Sequence, residues 1–213
     1  MKIELKNIHH SVQLSEETEA FTANLYIKGI HAGYAKNNGT GGPTDYYHEN
    51  EKGRELIREA EAYCRTLPDK QYPKDRYMEA FSVPMNLENY IDDIVNRYIE
   101  KKEQASFAKK MDKAMERGIV FGIAGESFTT LAFTSPFAKV LSHPKATEII
   151  TNAIVNKVLP DLKDGNIILN TNIPESILRE AGLKKEQYVK PLVGDQQQPD
   201  LNKDAGQSAG PKR

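Results

Sequence analysis

Asn38-Gly39-Thr40-Gly41-Gly42 is the stretch of this chain whose residue types come nearest to chemistry. Three glycines in four positions free the backbone and remove the Cβ atoms that would hold a ligand away from it. Such a loop can turn several N–H groups toward an anion. His48 follows closely, and a helix opening near Asn50 would add its positive end. Asn38, Gly39, Thr40, Gly41, Gly42 and His48 therefore form the candidate ligand-binding set. The stretch lacks the Gly-Lys-Ser/Thr ending of a P-loop and sits among strands, not in a strand–helix–strand unit. The plainer reading is a wide hairpin loop that needs positive φ.

The other reactive side chains fall short of a catalytic set. His9 and His10 are adjacent, so a strand would point them to opposite faces. His31, His48 and Asp45 could meet in a meander and would suit a divalent ion, but no spacing supports that grouping over scattered surface histidines. Cys64 lies on an apolar helix stripe and reads as a small core residue. Ser127 lacks the second glycine and the strand-to-helix setting of a nucleophile elbow. Glu16, Glu17 and Glu19 read as a solvated hairpin tip. No catalytic residue, metal or cofactor is expected.

Lys101-Lys102, Lys109-Lys110, Lys113 and Arg117 make a basic stretch, with Glu103, Asp112 and Glu116 interleaved. Mixed signs at that spacing read as a solvent-exposed helix sooner than as a phosphate track. Strands, a glycine loop and a helix also have the layout of a double-stranded-RNA-binding domain. The helix start Asn50-Glu51-Lys52-Gly53-Arg54-Glu55 carries as many acids as bases, however, where that domain clusters lysines.

Composition narrows the classes further. With 30 acidic and 29 basic residues in 213, the net charge of −1 opposes a dedicated duplex-DNA packager. One cysteine excludes a disulfide framework. The hydrophobic share of 38% can build one modest core or two small ones. No apolar run approaches the roughly 20 residues that span a bilayer, and Met-Lys-Ile-Glu-Leu-Lys has no signal-peptide centre. A soluble protein without membrane contact is expected.

The elements that must position these residues make an α+β fold. Ile3 and Leu5 alternate with Lys2, Glu4 and Lys6; Phe21, Ala23, Leu25 and Ile27 alternate with polar residues; Ile30, Ala32 and Tyr34 resume after Lys28-Gly29. A fourth strand at Tyr46-Tyr47-His48 completes an N-terminal antiparallel meander. A helix capped by Asn50 should cover it with Leu56, Ala60, Tyr63 and Leu67, and Pro68 ends that helix.

The expected domains are 1–67 for meander and helix, a proline-containing linker at 68–85, and a helix-rich α/β segment at 86–183 that can join the first as one domain. Leu87, Tyr90, Ile91, Ile94, Val95, Tyr98 and Ile99 follow helical spacing after Asn86. Ile91 and Ile94 are expected in the core. If the stripe is instead exposed, Tyr90, Ile94 and Tyr98 form a partner surface. Strands around Ala124-Gly125-Glu126, a stripe from Ala146 to Val158, a short strand at Ile167-Ile168-Leu169 and a helix from Pro174 to Ala181 follow. Residues 184–213 lose apolar content and read as a disordered tail.

Ser15-Glu16-Glu17-Thr18, Phe21 to Gly29, the loop Asn38 to Gly42, the helix Leu87 to Val95 and the Lys-rich approach to Ile119-Val120-Phe121 together resemble a family of small uncharacterised proteins. They are met in bacteriophages, plasmids and bacterial genomes, and the likeness covers roughly residues 1–122. The family loop has an acid and a histidine where this chain has Asn38 and Thr40. The resemblance implies an accessory protein of a phage or mobile element, in the bacterial host cytoplasm, binding a host or viral macromolecule without catalysis. The partner expected from it is a protein, with nucleic acid also open. An enzyme or nucleotide-binding protein with its site at residues 37–48, and a virion or cargo component, are the alternatives.

Overall fold

The computed structural model describes residues 1–192. The chain has an α+β fold whose contacts divide it into two compact units, Met1–Glu103 and a second that begins at Gln104.

In the first unit β1 (Ile3–His10), β2 (Phe21–Ile27), β3 (Ile30–Asn37) and β4 (Asp45–His48) form one antiparallel sheet in sequence order. The turn between β2 and β3 is Lys28-Gly29, with φ of 52° and 80°, the geometry that matches the right-handed strand twist. Phe21, Ala23, Leu25 and Ile27 all point inward, as their alternation requires. Helix α1 (Glu51–Cys64) is capped by Asn50, whose Oδ1 accepts from the Gly53 N–H at 3.0 Å. A Cβ at Gly53 would stand 2.0 Å from the Ala32 carbonyl oxygen, so glycine permits the close seating of α1 on β3.

Leu56, Ile57, Ala60 and Cys64 of α1 share the core with the inner sheet face. So do Leu87, Ile91, Val95 and Ile99 from the first half of α2 (Leu87–Met115). Tyr90 and Ile94 are half-buried against this core, and Tyr98 is exposed with its hydroxyl 3.5 Å from the Ile8 carbonyl. The expected core position of Ile94 is thus a flank, because Ile91 and Val95 occupy the helix face that looks inward.

Residues 68–85 are not a boundary between units. They hold the hairpin β5 (Lys70–Tyr72) and β6 (Phe81–Val83), and Lys70 bonds Asp93 of α2 at 2.6 Å. The division between units falls inside α2, at 103/104. The polar run Lys101-Lys102-Glu103-Gln104 marks that point in the sequence, and the helix continues through it unbroken.

In the second unit β7 (Gly118–Ile123) lies between β8 (Ser127–Ala132) and β9 (Ile167–Ile168), all antiparallel. Helices α3 (Phe137–Leu141), α4 (Ala146–Ala153) and α5 (Glu175–Glu180) pack with one side of it through Phe137, Ile150, Ile177 and Leu178. Met111, Ala114 and Met115 of α2 cluster with Val120, Phe128 and Leu169 on the other. Fully buried Asn170 extends the ladder: its Oδ1 accepts from the Val120 N–H at 2.5 Å and its Nδ2 donates to the Gly118 carbonyl at 3.0 Å.

Residues 184–192 correct the expected tail. Tyr188 is buried, bridges Ile168 in parallel, and donates its hydroxyl to Glu175 at 3.0 Å. One aromatic anchor suffices where composition suggested none. The remainder of that expectation, residues 193–213, lies outside the described residues.

Candidate functional site

The glycine loop is built around Asn37, at the end of β3. Its Oδ1 accepts from the Gly39 N–H at 2.8 Å and the Thr18 hydroxyl at 2.9 Å. Its Nδ2 donates to the Gly42 carbonyl at 3.0 Å and to Thr44 Oγ1 at 3.1 Å. Both ends of the amide are therefore satisfied within the protein. The Gly39 carbonyl in turn accepts from three successive N–H groups, those of Glu16 and Glu17 at 2.9 Å each and of Thr18 at 3.3 Å. That concave row of donors would suit an anion, but a peptide oxygen already fills it. The Gly41 N–H donates to Thr18 Oγ1 at 3.3 Å.

Of the expected ligand set, Gly39 is buried, while Asn38, Thr40, Gly41, Gly42 and His48 are exposed. Gly41 and Gly42 reach the rim of a cleft of about 950 Å³. Among the described residues its lining carries Glu16, Glu17, Glu19, Glu88, Asp92, Asp93 and Glu100 against Lys70 and Arg97. Buried Thr44 ties the loop to the cleft, donating its hydroxyl to Asp92 at 2.6 Å and its N–H to Glu88 at 3.2 Å. Burial pushes the Asp92 carboxyl up, against the Thr44 hydrogen bond, and the charges of Glu88 and Asp93 push it the same way. Burial acts to lower the Lys70 ammonium, but the hydrogen bond and charge of Asp93 outweigh it and leave it raised. A surface this negative opposes a nucleotide or phosphate.

The histidines do not assemble. Asp45 and His48 stand an odd number of residues apart on β4, so they take opposite faces, and no group able to hold a metal ion exists among the described residues. Cys64 is buried, and burial raises its thiol, so it rests protonated in the core.

The outward face of the N-terminal sheet is of another character. Register places Lys6 beside Asn24, Asn24 beside Tyr34, Tyr34 beside Tyr47, Tyr26 beside His31, and Thr22 beside Lys36. Tyr34 and Tyr47 stack with centroids 4.9 Å apart and planes 22° apart, yet remain 44% and 41% exposed. Lys6 Nζ lies 4.0 Å from the Tyr26 ring centre, and Lys36 Nζ 5.7 Å from that of Tyr47. The acids of this face, Glu4 and Asp45, stand on the two outer strands, and Glu4 is paired with Lys2 at 3.0 Å.

Sequence reasoning missed this face. Its signal was present in the positions between the buried residues of β2 and β3, which hold Tyr, Lys, Asn and Thr. Reading alternation for the core alone passes over them.

No family model matches the chain, and no curated protein or solved structure matches it significantly.

Proposed function

We propose that this chain is a non-enzymatic binding protein that lays single-stranded nucleic acid across the outward face of its N-terminal sheet. The observation that carries this reading is the exposed Tyr34–Tyr47 stack, set between Lys6 and Lys36 on a face whose centre has no carboxylate among the described residues. Exposed aromatic rings on a sheet offer faces on which bases stack, and nearby lysines neutralise phosphates. Asn24, Thr22 and His31 add polar side chains to the same face. The acidic cleft beside the glycine loop speaks against a nucleotide site at residues 37–48.

The resemblance to phage and plasmid proteins supports an accessory role in a bacterial cytoplasm. No helix among the described residues is long and apolar enough to cross a membrane.

Fluorescence anisotropy with labelled 20-nucleotide single-stranded DNA and RNA tests this. Replacing both Tyr34 and Tyr47 with alanine should weaken binding at least about tenfold, since one base–aromatic stack contributes about 1–3 kcal/mol. Replacing both Lys6 and Lys36 should flatten the dependence of log Kd on log salt by about 0.7 for each phosphate no longer neutralised. Absence of binding by the wild type, or unchanged binding by a folded tyrosine double variant, overturns the reading. Capture of a protein on this same face, with no oligonucleotide competition, would replace nucleic acid with a protein partner.

A further inference from the structure

The second unit carries a groove of opposite charge to the cleft. It has a volume of about 370 Å³ and lies between the C-terminal half of α2 and the edge strand β8. Lys110, Lys113 and Arg117 line it from α2 and the turn after it, with Phe128, Thr130 and Ala132 from β8. Among the described residues no carboxylate lines it.

The arrangement follows from two periodicities. Met111, Ala114 and Met115 form the helix face that meets Val120 and Leu169. Lys110, Lys113 and Arg117 succeed one another at steps of three and four, so they run as one stripe beside that apolar face. On β8 the residues Phe128, Thr130 and Ala132 are two apart and share the face turned to the same helix. Phe128 is steadied edge-on by Phe107, with centroids 5.3 Å apart.

The acids interleaved in this helix do not neutralise the stripe. Glu116 belongs to a different cavity, with Pro136 and His143. Among the described residues no carboxylate forms an ion pair with Lys110, Lys113 or Arg117. The negative end of α2 accounts for a cation in its last turn. It does not account for three converging on one groove that also holds a neutral hydroxyl donor, Thr130.

We propose that this groove binds a phosphate-bearing anion, held by Lys110, Lys113 and Arg117 and oriented by the Thr130 hydroxyl. Three cations in a concave site, with no internal counter-charge, match a group that brings two or more negative charges. Two sources share that chemistry: the backbone of a nucleic acid and a free oligophosphate. The groove stands independently of the N-terminal sheet face, and either can fail without the other.

Calorimetric titration of the full chain with inorganic triphosphate, and separately with a 12-nucleotide oligothymidylate, tests the proposal. The wild type should bind triphosphate, and the triple variant Lys110→Gln, Lys113→Gln, Arg117→Gln should bind it at least about tenfold more weakly. A control with the same charge change, Lys101→Gln, Lys102→Gln, Lys109→Gln, should keep wild-type affinity. The tyrosine double variant of the sheet face should also keep it. Should the triple variant not fold, Thr130→Glu places a carboxylate in the groove from β8 and should abolish binding alone. Oligothymidylate displacing triphosphate assigns the groove to a nucleic-acid backbone; triphosphate binding without such displacement assigns it to a free oligophosphate. No binding of triphosphate by the wild type, or equal weakening in the control variant, overturns the proposal.

Discussion

The acidic cleft of the first unit and the basic groove of the second are both lined by charged side chains near α2, and they differ in what those side chains touch. In the cleft, Thr44 is bonded to Asp92 and to Asn37, Lys70 to Asp93, and the Gly39 carbonyl to three N–H groups. In the groove, three cations share a wall and none is paired among the described residues. Polar groups that satisfy one another hold a fold together, and removing one leaves its partners unpaired. Polar groups of one sign without partners do little for stability and are available to a ligand. The two regions should therefore respond oppositely to mutation.

The largest expected effect lies at the loop beside the cleft. Gly39 has φ of 86°, and a Cβ there would come within 1.9 Å of the Leu14 carbonyl oxygen. Gly39→Ala should cost about 2–5 kcal/mol, combining left-handed strain with a forced backbone shift. Gly42 has open space around it, and Gly42→Ala should change stability by less than about 0.5 kcal/mol. Equal urea midpoints for the two variants would show that the loop is a loose turn and remove one side of the contrast.

Next comes the amide that organises that loop. Asn37→Ala strips partners from Gly39, Thr18, Gly42 and Thr44, and should cost about 1–3 kcal/mol by urea denaturation. An effect near zero would mean that water replaces it freely.

A smaller effect separates Asp92 by pH. Its carboxyl is raised in the folded protein, chiefly by burial, so the folded state holds its proton at pH values where the unfolded chain has released it. Stability from this group is fully present below the unfolded carboxylate range and is lost as pH rises through the raised value. Relative to Asp92→Asn, the wild type should lose stability on going from pH 4 to pH 7. Parallel curves for the two proteins would show that Asp92 titrates normally. The pairs that lower Glu59 and Glu175 act in both proteins and cancel in the difference.

The smallest expected effect is in the groove. Lys113→Gln should leave the melting temperature within about 2 °C, the scale of a few tenths of a kcal/mol, because the lysine has no ion-pair partner among the described residues to give up. A drop of 10 °C would make the lysine a structural residue and end the contrast from the other side.

Much of this organisation is legible residue by residue. The Lys28-Gly29 turn, the inward set of β2, the Asn50 cap and the α2 stripe Leu87, Ile91, Val95 and Ile99 follow from local rules of period, cap and turn. Asn37 and Asn170 were not legible. An asparagine in such a sequence reads as a turn or surface residue, and these two act through partners 19 and 52 positions away. Nor was Tyr188 legible, since its place beside Ile168 depends on a strand that precedes it by 20 residues.

By itself the sequence determined the fold class, the N-terminal meander and the helical stripes, because strand and helix periods are properties of neighbours along the chain. It also determined that acids and bases are almost equal in number. Only the tertiary structure decided where those charges stand, gathering seven carboxylates into one cleft and three cations into one groove. It alone set Tyr34 of β3 and Tyr47 of β4 side by side on an exposed face. Charge and aromatic surface act through space, and spatial neighbours are chosen by register and packing between segments far apart in the chain.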